Sequence, residues 1–189
     1  MRIISGLNRG KKLIMPKDKT TRPLKDLAKE SIFNILTHAN YINFHLEDSK
    51  VLDVFSGIGS FGLECISRGS KFVFFLENYP PVLEILKKNI INLKYENKSK
   101  IMNIDAFKIN KDTFRIDQKF QIIFCDPPFK EKKIEVLIKN IIEMDILEKN
   151  GIIIIHRKKG DLDNYPKKFK LIDTKSYGLS TFVFGKKSN

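Results

Sequence analysis

Val51-Leu52-Asp53-Val54-Phe55-Ser56-Gly57-Ile58-Gly59-Ser60-Phe61-Gly62 is the stretch on which the fold turns. Val51–Phe55 is a short apolar run broken by one carboxylate, and it reads as a buried strand. Phe61–Arg68, closed by Gly69, reads as the helix that follows. The glycines between them let the backbone turn sharply and approach a ligand closely. The spacing Gly57-x-Gly59-x-x-Gly62 also fits a dinucleotide fingerprint, which is weak by itself. Asp53 shifts the balance. A carboxylate at the loop end of the strand repels a pyrophosphate placed above it and attracts a ligand carrying an ammonium and a sulfonium group. A plain loop cap is the competing role for Asp53.

Working outward, strands and helices alternate. Phe72–Glu77 predicts a strand, Pro81–Leu93 a helix, and Ile101–Ile104 a strand. A short helix is expected near Ala106–Phe114, a strand over Phe120–Cys125, a helix over Lys133–Leu147 and a strand over Gly151–His156. Apolar strands separated by helices imply a parallel sheet covered on both faces. The last two strands, Phe169–Thr174 and Ser180–Phe184, have only Lys175–Leu179 between them, too short for a crossover, so they should pair antiparallel. Upstream, Leu24, Leu27, Ala28, Ser31, Ile32, Ile35 and Leu36 follow helical spacing after Arg22-Pro23. Residues 1–16 read as a small hairpin turning at Asn8-Arg9-Gly10. The expected architecture is an α/β, Rossmann-like fold: a seven-stranded, mostly parallel sheet with one antiparallel strand, plus the N-terminal β-hairpin.

Three further features carry chemistry. Glu77 ends the second strand, twenty positions after Gly57, where an acid can accept hydrogen bonds from ribose hydroxyls. Asp105-Ala106 follows the third strand. Asp105 can accept from the amino group of a bound adenine, and it is equally suited to cap a helix. Asp126-Pro127-Pro128-Phe129 ends the fourth strand. Its prolines stiffen the backbone and remove two donors, leaving the Asp126 carboxylate and the Pro127 carbonyl as a row of acceptors. Such a row can hold the hydrogens of an exocyclic base amine and aim its lone pair, while Phe129 stacks on the base. As a bare turn Pro-Pro is common; this tetrapeptide in a chain with the glycine loop is far more specific.

The formal net charge is +13 and the isoelectric point about 9.6, which favours a polyanionic partner. Most of the 35 basic residues are lysines, an ordinary result of biased composition, so their placement says more than their number. Residues 1–30 hold nine basic and three acidic side chains. Arg9, Lys11, Lys12 and Arg22 are therefore candidate phosphate contacts, with a solvated basic face as the bland alternative. There is no apolar run of membrane-spanning length and no secretory h-region. Cys65 and Cys125 sit in apolar stretches and read as reduced, buried thiols. His38, His45 and His156 are scattered, and no metal site is expected.

With these residues in view the chain resembles the class I S-adenosylmethionine-dependent methyltransferases, and within them the RsmD-type enzymes that methylate a guanine N2 of 16S ribosomal RNA. The resemblance runs through Arg2-Ile3-Ile4-Ser5-Gly6, Arg9-Gly10-Lys11-Lys12-Leu13, Arg22-Pro23, Lys29–Leu36, Asp53–Gly59, Ser67-Arg68-Gly69 and Asp126–Phe129. It implies S-adenosylmethionine bound by Asp53, Phe55, Gly57, Gly59, Glu77, Asp105 and Ala106. It also implies a target base facing Asp126, Pro127 and Phe129. The expected division is a basic hairpin and linker for RNA over 1–22 and a methyltransferase domain over 23–189. The expected partner is small-subunit ribosomal RNA within an assembled or partly assembled 30S subunit. The expected state is a cytoplasmic monomer without metal. Methylation of adenine N6 in DNA or RNA, or of a protein glutamine, is the alternative. Asn78-Tyr79 departs from the charged residue common in the family after the acid, and a changed rim contact is expected there.

Overall fold

The computed structural model describes residues 1–16, 26–115 and 117–188. Its elements run α1 (Asp26–His38), β1 (Lys50–Val54), α2 (Ser60–Ser67), β2 (Phe72–Leu76), α3 (Pro80–Leu93), β3 (Ser99–Met102), β4 (Phe120–Cys125), α4 (Ile134–Glu143), β5 (Leu147–Lys158), β6 (Phe169–Tyr177) and β7 (Ser180–Lys187). The seven strands form one sheet in the order β3-β2-β1-β4-β5-β7-β6. All neighbours pair parallel except β7, which is antiparallel to both β5 and β6. The chain winds from β1 outward through β2 and β3, then returns to add β4 and β5 on the other side. Direction therefore reverses between β1 and β4, and a crevice opens at the carboxyl ends of those strands.

Each face of the sheet carries its own core. On one, Val51, Phe75, Phe124, Ile154 and Phe184 pack against α1, α2 and α3. On the other, Leu52, Val54, Ile123, Ile153 and Ile155 pack against α4. Alternation along each strand sends successive side chains to opposite faces, which is why the strands read as continuous apolar runs. Cys65 and Cys125 are both buried and free.

Residues 1–16 form a small hairpin, closed by an antiparallel bridge between Arg2 and Lys12. It lies outside the seven-stranded sheet but is not detached from its core, since Ile3 and Leu13 are buried in the α1–α3 layer. Its backbone is bound to the domain as well. Glu64, fully buried on α2, accepts from the amides of Ile4 (2.7 Å) and Ser5 (2.9 Å) and from Arg68 Nε (2.8 Å). Lys29 of α1, also fully buried, lies 3.3 Å from Glu64 and donates to the Arg2 carbonyl at 2.7 Å. An isolated buried charge is strongly disfavoured, so Glu64 and Lys29 depend on each other.

Two predicted elements differ. In place of a helix over 106–114 there is one 3-10 turn, Ala106–Lys108, and an irregular loop. Asn110 Oδ1 accepts from the amide of Asp112, and Thr113 Oγ1 from that of Asn110, local bonds that compete with a helical ladder. The helix expected to reach Leu147 stops at Glu143 because Asp145 adopts a left-handed backbone, and Leu147 opens β5 beside Phe120. The helix start expected after Arg22-Pro23, with Leu24, falls outside the described residues.

Candidate active site

A cavity of about 550 Å³ occupies the crevice at the carboxyl ends of β1, β2 and β4. Three of its walls come from strand ends. β1 contributes Asp53, with Phe55 just beyond; β2 leads into Glu77; β4 contributes Phe124 and leads into Asp126. Asp105, after β3, reaches the same space.

Asp53 is almost fully buried, and its Oδ2 accepts from the Gly62 amide at 3.0 Å. That geometry requires α2 to approach the sheet very closely, and a Cβ on Gly62 would stand 2.3 Å from the Phe75 ring. The loop-cap role of Asp53 is thus met by one oxygen, while the residue still lines the cavity. Burial pushes the Asp53 carboxyl well above the usual carboxylate range, and the nearby charges of Asp126 and Glu77 push it further. Gly57 has a positive φ of 56°, with open space where a Cβ would stand. Its amide donates 2.8 Å to Glu77 Oε2, while Glu77 Oε1 accepts from Asn78 (2.9 Å) and Tyr79 (2.8 Å). Phe55 holds a left-handed backbone, φ 60°, an uncommon conformation for a bulky residue, at the cavity wall.

Of the residues singled out in the sequence, Asp53, Phe55, Gly57, Glu77, Asp105, Asp126, Pro127 and Phe129 come together around this one cavity. Gly59 and Ala106 are not in its lining. Gly59 is packed behind the loop, where a Cβ would meet Leu86 Cδ1 at 2.6 Å. Ala106 is buried on the α4 side. Asp105 caps the 3-10 turn through the Phe107 amide (2.9 Å), so its capping role is realised while its side chain lines the cavity. Asn78 and Tyr79 sit on the rim, with Tyr79 44% exposed. Arg9, Lys11 and Lys12 are exposed on the hairpin, and Arg22 lies outside the described residues.

Three contributing residues escaped the sequence reading. His156, on β5, is buried with its Nδ1 2.7 Å from Asp126 Oδ1. Its partner across β7 is Ser180, Oγ to Nε2 2.8 Å. Arg157, equally buried, pairs with Asp163 (2.7 Å) and donates 2.9 Å to the Glu131 carbonyl, pinning the loop after Asp126–Phe129. Asn89 on α3 links the hairpin to the glycine loop, donating to the carbonyls of Ile14 (3.2 Å) and Ile58 (3.1 Å). A polar residue on an amphipathic helix gives little sign of such contacts, and the β4–β5 register that joins His156 to Asp126 is invisible to local pattern.

The cavity's charge is its most informative property. Although the chain carries a net charge of +13, the described lining holds five carboxylates (Asp53, Glu77, Asp105, Asp126, Glu131) and no lysine or arginine. Such a cavity repels a dinucleotide pyrophosphate. It fits a ligand that carries positive charge, ribose hydroxyls and an adenine amine, which are the groups of S-adenosylmethionine. Among the described residues no cluster of His, Cys, Asp and Glu could hold a metal ion.

The family model described as conserved hypothetical protein 95 matches residues 1–186. Ribosomal RNA small subunit methyltransferase D of Haemophilus influenzae is 32% identical over 183 residues, covering 96% of this chain and 91% of that one. Its namesake from Escherichia coli strain K12 is 34% identical over 153 residues, covering 80% and 68%. Among solved structures, a candidate methyltransferase of Escherichia coli superposes with a TM-score of 0.81 at 26% identity, covering 100% of this chain and 98% of that one. A candidate methylase of Haemophilus influenzae gives 0.77 at 32% identity, again covering 100% and 98%. With sequence and fold both matched from end to end, and the cavity at the carboxyl edge of the sheet, the chain belongs to the conserved hypothetical protein 95 family, the RsmD-type methyltransferases of the class I fold.

Proposed function

We propose that the chain transfers a methyl group from S-adenosylmethionine to the exocyclic N2 amine of a guanine in small-subunit ribosomal RNA. The observation that carries this reading is the acidic cavity ending at Asp126-Pro127-Pro128-Phe129. When bound, S-adenosylmethionine supplies an electrophilic methyl on a sulfonium centre. Asp53 lies where it can offset the positive charge of that ligand, Glu77 where it can accept from the ribose, and Asp105 where it can accept from the adenine amine. Phe55 and Gly57 shape the wall between them.

Asp126 serves the base. Guanine presents N1–H beside its N2 amine, two donors that one carboxylate can accept together. Adenine presents an acceptor next to its amine, setting a lone pair against the negative charge. The Pro127 carbonyl can take the second N2 hydrogen, and Phe129 offers a stacking face. Held this way, the N2 lone pair points at the methyl, and the proton that N2 loses passes to the Asp126 carboxylate.

The hairpin is the RNA-holding part of this reading, with Arg9, Lys11, Lys12 and Arg22 as phosphate contacts. Its attachment through Asn89 to the loop at Ile58 sets it close to the cavity. The target base must leave its stack at a cost of roughly a few kcal/mol, less for an unpaired nucleotide. The reading therefore favours a loop guanine on RNA already folded by ribosomal proteins in a partly assembled 30S subunit. It takes the enzyme as a cytoplasmic monomer. The test is Asp126→Asn assayed on small-subunit RNA with labelled cofactor. Methyl transfer should fall to background while cofactor affinity by calorimetry stays close to that of the unaltered chain. Full turnover in the variant overturns the assignment.

A further inference from the structure

The Asp126 carboxylate is bound from the neighbouring strand β5. His156 Nδ1 lies 2.7 Å from Asp126 Oδ1, and His156 Nε2 lies 2.8 Å from Ser180 Oγ. The ring cannot turn freely between these partners. It stacks on Phe182 at 4.6 Å with planes 18° apart, and Phe129 meets it edge-on at 5.5 Å. His156 is 2% exposed, whereas the Asp126 side chain is 25% exposed and opens onto the cavity. One side of the carboxylate thus faces a buried imidazole and the other faces the space for the base.

The backbone explains why these residues meet. β4 and β5 pair in parallel with Cys125 beside Ile155, so Asp126, just past the end of β4, comes beside His156, where β5 runs on. β7 returns antiparallel with Phe182 opposite His156. That places the stacking ring directly across from the imidazole and Ser180 just beyond it.

We propose that His156 is a positioning and specificity-determining residue: in the chain Ser180–His156–Asp126 it holds Asp126 as an oriented, ionised acceptor and so selects the donor edge of guanine. The inference rests on the guanine-N2 reading given above. Its polarity follows from hydrogen-bond inventory. An ionised carboxylate only accepts, so Nδ1 carries a hydrogen, and Nε2 then takes the hydroxyl hydrogen of Ser180. With a neutral ring, that order gives each hydrogen between the three side chains an acceptor. A carboxylic acid at Asp126 would instead present a donor to the base and could satisfy the N1 acceptor of adenine. By occupying Oδ1 with a donor, His156 keeps the carboxylate in its accepting state and fixes its plane.

The test uses the full chain, with the unaltered protein first shown to form N2-methylguanosine in small-subunit RNA. If it forms none, the underlying reading fails and not the role of His156. Given activity, His156→Phe retains an aromatic ring for the Phe182 stack but has no donor, whereas His156→Asn can place its amide nitrogen where Nδ1 stood. The expected result is a fall in kcat of about 10- to 100-fold for His156→Phe, the scale of a misplaced reacting group. The cofactor dissociation constant should be unchanged, and His156→Asn should recover most of the loss. A His156→Phe enzyme with unaltered kcat overturns the proposal. An independent readout needs no variant: nitrogen chemical shifts of the His156 ring in the unaltered protein should show Nδ1 protonated. An unprotonated Nδ1, which would mean that Asp126 donates, also overturns it.

Discussion

Glu77 Oε2 accepts the Gly57 amide at 2.8 Å, so the acid that follows β2 and the glycine loop that follows β1 form one connected wall of the cavity. The same carboxylate also accepts from the amides of Asn78 and Tyr79, just ahead of α3. Glu77→Ala therefore removes a candidate ribose contact and the tie that holds the loop. Cofactor affinity is expected to weaken by roughly 1–3 kcal/mol, the scale of hydrogen bonds to a charged group. Calorimetric titration of the variant checks this, and an unchanged dissociation constant removes Glu77 from the cofactor site.

On the proposed function, Asp53 is expected to make cofactor binding depend on pH. Burial raises its folded-state pKa, so its contribution to stability is fully present below the unfolded value and is lost as pH rises through the folded one. A bound cation favours the ionised carboxylate and lowers that pKa. Between the lowered and raised values, binding releases a proton, and apparent affinity climbs with pH before levelling off. Titrations in buffers of different ionisation enthalpy should show proton release, and Asp53→Asn should abolish it. Equal release in the variant would place the titrating group elsewhere.

The buried Lys29–Glu64 pair fixes the hairpin on the domain. Glu64→Gln leaves Lys29 without its charge partner in a site where burial already lowers the lysine pKa. Removing one partner of a buried pair costs about 3–5 kcal/mol, so a large drop in melting temperature is expected. By the same reasoning, deleting residues 1–16 removes Ile3 and Leu13 from the core and destabilises the domain as well as any RNA contact. A variant as stable as the unaltered chain would show that the pair contributes nothing.

RNA binding is better tested by point changes, because Arg9, Lys11 and Lys12 are exposed. Replacing all three with Gln should leave the thermal melt unchanged and weaken RNA binding. If each contacts one phosphate, the salt dependence of log K should flatten by about 2–3, at roughly 0.7–0.9 per contact. An unchanged slope would remove the hairpin from the RNA interface.

How much of this was legible in the sequence depends on the range of each signal. The β1–loop–α2 unit, Glu77 and Asp126–Phe129 are local patterns: an apolar run, a turn chemistry, a strand end. All three fall where the pattern puts them and converge because the sheet aligns strand ends. His156 was legible only as one of three scattered histidines, because its role depends on β4–β5 and β5–β7 register. Glu64 reads as an ordinary polar residue on a helix, yet its burial is set by the hairpin that covers it. The segment after Ala106 has apolar spacing that suggests a helix but forms a loop, since Asn110 and Thr113 make local side-chain bonds that outcompete that spacing.

The central claim is the identity of the methylated atom. The direct measurement is to incubate the full chain with methyl-labelled S-adenosylmethionine and either naked small-subunit RNA or partly assembled 30S subunits, then digest to nucleosides and separate them. The account predicts label in N2-methylguanosine, with the assembled particle the better substrate. Label in N6-methyladenosine, or equal labelling of DNA under matched conditions, would contradict it.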